Sequence, residues 1–83
     1  MRILYFAWLR EKIGRGEEDF APPGDVTTPR ALIACLRTRG PAYADAFANE
    51  DLIRCAVDQE FCGLDAALGT AREIGFFPPV TGG

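Results

Sequence analysis

The chain has no histidine, a single lysine at Lys12, and no two cysteines in a CxxC spacing. Each absence closes off some chemistry. Without histidine there is no ordinary general base to activate a nucleophile. A zinc site would have to be assembled from scattered thiols and carboxylates, so no metal site is expected. The cysteines, Cys35, Cys55 and Cys62, are odd in number, which does not fit a disulfide scaffold. They read as reduced small hydrophobes. The apolar run at residues 3–9 is far shorter than the ~20 residues of a membrane span. It sits at the short limit for a signal-peptide core, and no small-residue cleavage site follows it. A cytoplasmic protein is expected. Basic clusters are also missing: nine Lys and Arg against twelve Asp and Glu leave a net charge of −3, which argues against a nucleic-acid partner. Gly14 and Gly16 are not followed by Lys-Ser/Thr, so they form no P-loop. No nucleophile–base pair stands out, and a free-standing hydrolase is disfavoured.

What is present is one small domain. The 83 residues are 48% apolar and 25% charged, ordinary for a globular chain, and a chain of this size buries about 60–65% of its unfolded surface. Residues 2–8, RILYFAW, read as a strand apolar on both faces, with Ile3, Tyr5 and Ala7 opposite Leu4, Phe6 and Trp8. A short helical turn over 9–14 would be closed by Gly14. EEDF at 17–20 would pair back as a second strand. APPGD at 21–25 is loop by composition. Thr28 as cap, Pro29 at the first position and Leu32, Ile33 and Leu36 on one face predict a helix over 29–39, stopped by Gly40 and Pro41. Residues 43–52 read as loop with at most one helical turn. IRCAVDQ at 53–59 alternates as a strand, 61–62 as a short return strand, and EIGFF at 73–77 as the last strand. This order predicts an α+β fold: a mixed sheet of four to five strands packed on one main helix.

The chain then runs out as FFPPVTGG. Pro78 and Pro79 remove two N–H donors and fix φ, so they end sheet pairing and stiffen the exit. Val80 and Thr81 are β-branched and favour extended geometry. Gly82 and Gly83 have no side chain, so a narrow pocket can close on their backbone. The division expected is a domain over 1–77 and an extended tail over 78–83, with the Gly83 carboxylate as its working end. A carboxylate must be activated before it reacts, typically as an acyl-adenylate.

This octapeptide resembles the C-terminus of the molybdopterin synthase small-subunit family, sulfur carriers grouped with the thiamine sulfur carrier among ubiquitin-like β-grasp proteins. ILYFAWLREKIG is similar to that family's opening strand and turn, TPRALIACL to its helix and CAVDQEF to its third strand. Two departures stand out: Asp58 where the family often has asparagine, and GTARE at 69–73 where it often has a Gly-Asp turn. The resemblance implies that a ubiquitin-activating-type adenylyltransferase uses ATP to adenylate Gly83. A sulfur donor protein then converts the adenylate to a thiocarboxylate. The tail, Pro78 through Gly82, enters the large synthase subunit and delivers sulfur to cyclic pyranopterin monophosphate. No bound cofactor and a heterotetrameric synthase are implied.

A carrier needs a docking face. Parity allows Phe6 and Phe77, with Phe61, to point away from the helix, or else Ile3, Tyr5 and Phe76. The resemblance favours the first set, with Arg10 as a polar rim contact. Three rival readings remain at this stage: a thiamine-pathway carrier, a protein modifier joined to lysines through Gly83, and an interaction module whose GG end is incidental.

Overall fold

Chain direction is set by a sharp break after the first strand. β1 (Arg2–Tyr5) stops where Ala7 takes a positive φ of 53°, and α1 (Ala7–Ile13) follows at once. The first strand is therefore shorter than residues 2–8, and Ala7 and Trp8 belong to a helix. Leu9 and Ile13, four apart, are the buried stripe of that helix, which the apolar alternation of 2–8 masks. Gly14, at φ 89°, ends α1 and donates its N–H to the Arg10 carbonyl at 2.9 Å. β2 (Glu17–Asp19) then returns antiparallel to β1, with Ile3 opposite Glu18. The structure, a computed structural model, describes residues 1–79.

α2 (Pro29–Arg37) forms as its start signals direct. The Thr28 hydroxyl accepts the Ala31 N–H at 3.1 Å, Pro29 occupies the first turn, and Leu32, Ile33 and Leu36 are fully buried. It ends two residues short of 39, because the Thr38 hydroxyl donates to the Cys35 carbonyl at 2.7 Å and closes the turn. Gly40 and Pro41 do not merely stop α2. They open α3 (Pro41–Ala46), a helix where 43–52 reads as loop, and a 3-10 turn follows at Glu50–Leu52. α3 is held by tertiary contact: Tyr43, Ala46 and Phe47 are buried, and the Arg37 guanidinium donates to the Phe47 carbonyl.

β3 (Arg54–Val57), β4 (Glu60–Cys62) and β5 (Glu73–Phe77) complete a five-stranded sheet in the order β2-β1-β5-β3-β4. β5 lies between β1, parallel to it, and β3, antiparallel to it. Asp58 and Gln59 carry the β3–β4 turn at φ 49° and 70°, a left-handed pair of the kind that suits the twist of a tight hairpin. The Asp58 carboxylate also accepts the N–H groups of Arg72 and Glu73 at 3.0 and 3.1 Å, tying this turn to the start of β5.

One face of the sheet meets the helices. Ile3, Tyr5, Ile53, Cys55, Ile74 and Phe76 point into that layer and join Leu9, Leu32, Ile33, Leu36 and Phe47 in one core. The Phe47 ring meets Phe76 edge-on at 5.2 Å. The fold is α+β, a mixed five-stranded sheet with helices packed on one face.

Candidate functional site

Among the described residues no helix covers the other face of the sheet, and small residues shape it. Register aligns Leu4, Gly75, Ala56 and Phe61 in one row across β1, β5, β3 and β4. Gly75 and Ala56 leave a trough in the middle of the row. Phe6 lies over it: a Cβ built on Gly75 would come within 3.0 Å of the Phe6 ring. Phe61 and Phe77 wall the other side, their rings 5.6 Å apart and inclined at 63°. The result is an apolar groove lined by Phe6, Ala56, Gln59, Phe61, Gly75 and Phe77. Phe61 is 84% exposed and Phe6 47% exposed. Aromatic area left open to that degree in so small a domain has the character of a binding surface.

Of the two parity assignments for the aromatics, the geometry selects the first. Ile3, Tyr5 and Phe76 are at most 1% exposed and belong to the core. Arg10 does not line the groove. It sits within α1, and its guanidinium packs beside Gly16, where a built Cβ would lie 3.2 Å from Nε. The nearest arginine in register is Arg54, opposite Phe77 across β3 and β5; its guanidinium donates to the Asp51 and Ile53 carbonyls at 3.1 and 3.0 Å.

The groove runs into the tail. Phe77 is the last residue of β5, and Pro78 and Pro79 follow it directly, half-buried and outside the sheet. Because β5 is flanked on both sides, the tail leaves from the middle of the sheet and not from an edge. Val80, Thr81, Gly82 and Gly83, expected as the inserting segment and its reactive end, lie outside the described residues.

A second centre, unforeseen from the sequence, is the Glu18 carboxylate. Its side chain is 5% exposed, on the helix side of edge strand β2. The Tyr5 and Tyr43 hydroxyls donate to Oε2 at 2.8 and 2.6 Å, and Arg39 donates to Oε1 at 2.6 Å. Arg15 approaches Oε1 at 3.4 Å. Burial raises the Glu18 pKa, but the hydrogen bonds from Tyr43, Arg39 and Tyr5 outweigh it, and the net shift is downward. Burial and the same carboxylate push both tyrosines up, so their hydroxyls stay protonated donors. The signal available in the sequence was the tyrosines: a buried phenol needs an acceptor, and a glutamate in a strand beside Tyr5 can supply one. The cluster is satisfied and closed, which makes it a structural tie between β1, β2, the α2–α3 connection and α3. Chemistry therefore has to be sought at the groove and the tail.

The described residues define a class: a small ubiquitin-like domain with an aromatic groove beside the end of its last strand. Residues 3–83 match the ThiS family, and the chain belongs to it. Among curated proteins it is 37% identical to the molybdopterin synthase sulfur carrier subunit of Haemophilus influenzae, over 100% of this chain and 99% of that one. It is 34% identical to the subunit of the same name from Escherichia coli, again over 100% and 99%. Among solved structures it superposes on SAMP1 from Haloferax volcanii with a TM-score of 0.75 at 27% identity, covering 100% of this chain and 98% of that one. A structure of the small archaeal modifier protein 1 of H. volcanii gives a TM-score of 0.70 at 28% identity over 96% and 97%.

Proposed function

We propose that this chain is the sulfur carrier of a molybdopterin synthase. The observation that carries the reading is its end-to-end similarity to two proteins of that name. The groove beside the tail supports it. In this scheme an adenylyltransferase joins the Gly83 carboxylate to AMP from ATP, releasing pyrophosphate. A sulfur donor protein then displaces AMP and leaves a thiocarboxylate. The sequence division into a domain over 1–77 and a tail over 78–83 follows from this: the domain docks and the tail reaches. Phe6, Phe61 and Phe77 would sit against the large subunit, with Pro78 and Pro79 directing Val80, Thr81 and Gly82 into its active site. There the thiocarboxylate sulfur passes to cyclic pyranopterin monophosphate, and two transfers complete the dithiolene. The acid–base groups belong to the large subunit, consistent with a carrier that has no histidine. The assembled enzyme would be a cytoplasmic dimer of heterodimers.

The experiment is intact-protein mass spectrometry after co-expression with the activating enzyme and a sulfur source, beside a chain lacking Gly83. Replacement of one oxygen by sulfur in the full chain only is the expected result. An unchanged mass, under conditions that load a known carrier, would overturn the reading. Likeness to an archaeal modifier favours a second outcome, conjugation. That would appear in the same spectra as Gly83 joined through an isopeptide to a lysine of another protein.

A further inference from the structure

Cys55 and Cys62 are direct cross-strand partners on β3 and β4. Their sulfurs stand 3.7 Å apart, in contact but unbonded. Directly opposed residues of an antiparallel pair have Cα atoms about 4.5–5.5 Å apart, inside the range a disulfide spans. Bond formation needs the sulfurs to close to about 2.05 Å, a movement within reach of two χ1 rotations and a small strand shift. The two thiols differ in access. Cys55 is 1% exposed and makes further sulfur contacts to the Cys62 and Gly63 carbonyls at 3.5 and 3.9 Å. Cys62 is half-buried and lines an open groove with Arg30, Arg54 and Leu64, separate from the aromatic groove on the opposite face. Cys35 lies on α2, outside this pair.

We infer that Cys55 and Cys62 form a dithiol site for exchange with low-molecular-weight disulfides, with Cys62 as the attacking thiol and Cys55 as the resolving one. The Cys62 thiolate attacks one sulfur of the small disulfide. A mixed disulfide forms and one small thiolate leaves. Cys55 then attacks Cys62 Sγ, and its proton passes to the second small thiolate, which leaves as the free thiol. Two protein thiols are oxidised to one disulfide, and the small disulfide is reduced to two thiols. The order follows from access. Burial pushes the Cys55 thiol up to about 12, so the buried thiol is not the one that reacts first. The bond would staple edge strand β4 to β3 directly beneath Phe61, the most exposed aromatic of the docking face.

The test uses the folded full chain, expressed without its activating enzyme so that Gly83 carries no sulfur, and oxidised glutathione as the probe. After denaturing alkylation and digestion, the expected product is a peptide pair linked through Cys55 and Cys62, lighter by two hydrogen masses and restored by reductant. Under the same treatment Cys55→Ser should stop at a stable glutathione adduct on Cys62, because nothing resolves it. If that variant fails to fold, the wild-type peptide map decides alone. Bonds that involve Cys35, bonds between chains, or glutathione adducts without the linked pair would each overturn the assignment.

Discussion

Glu18 and Gly75 carry more of this molecule than their residue types announce. Glu18 is a charged residue on an edge strand, a position usually given to solvent, yet it accepts from two tyrosines and Arg39. Its replacement by glutamine keeps the shape and removes the charge, leaving Arg39 and two phenols with a weaker acceptor. Glu18→Gln should lower stability by about 1–3 kcal/mol, read as a shift in the urea midpoint at neutral pH. The sign with pH follows from its depressed folded pKa. The unfolded chain takes up the Glu18 proton at higher pH than the folded one does. The contribution is therefore complete above the ordinary glutamate value and disappears as pH falls through the lower folded value. Urea midpoints between pH 6 and pH 3 should fall more steeply for the wild type than for Glu18→Gln, with the two curves converging at the acid end. Parallel curves would show that the cluster contributes no titrating stability. Gly75 acts by having no side chain. The first atom its Cβ would meet is the far edge of the Phe6 ring, which can swing away. Gly75→Ala should therefore leave thermal unfolding nearly unchanged while displacing Phe6 from the trough. Affinity for the large subunit should drop about tenfold, a loss of about 1.4 kcal/mol, measurable by calorimetry.

At the scale of elements, the β3–β4 turn shows how local chemistry and tertiary ties coincide. Asp58 holds a left-handed conformation and accepts two N–H groups from the start of β5. Asp58→Ala removes the oxygen that accepts both N–H groups and keeps an unfavourable φ, so it should cost about 1–3 kcal/mol. Asp58→Asn retains an acceptor and tolerates the conformation, so its unfolding midpoint should match the wild type to within about 0.5 kcal/mol. The strands and α2 were legible in the sequence because their signals are local: a threonine cap, a proline at the first turn, and alternation through 53–57. What escaped was settled by contacts far away in sequence. Residues 6–8 continue an apolar alternation, but Leu9 and Ile13 must reach the core, and the chain turns at Ala7 to let them. α3 has six residues and few helix signals beyond Pro41. Its reason for existing is to deliver Tyr43 to Glu18 and Phe47 to Phe76. The aromatic face was half legible: parity grouped its residues, and only the packed helices decided which group faces outward.

At the scale of the whole molecule, the core cluster among the described residues lies between Ile3 and Phe76. A chain cut after Pro79 should therefore unfold within about 1 kcal/mol of the full chain in urea while losing all sulfur loading. A large drop in its midpoint would mean that the last four residues belong to the fold. The position of β5 has a further consequence, in time as well as in space. The strand nearest the C-terminal end is the middle of the sheet, and the two strands beside it, β1 and β3, make no ladder with each other. Without residues 73–77, this topology leaves the pairs β2-β1 and β3-β4 with no strand to join them. Non-local closure of this kind is slow and must wait for its last partner. A ribosome must release residues 73–77 before the domain can close, and the same residues lead directly to the tail. Prematurely terminated chains would then stay open and recognisable to proteases. A partner that grips the closed sheet would meet only molecules whose synthesis had already passed residue 77.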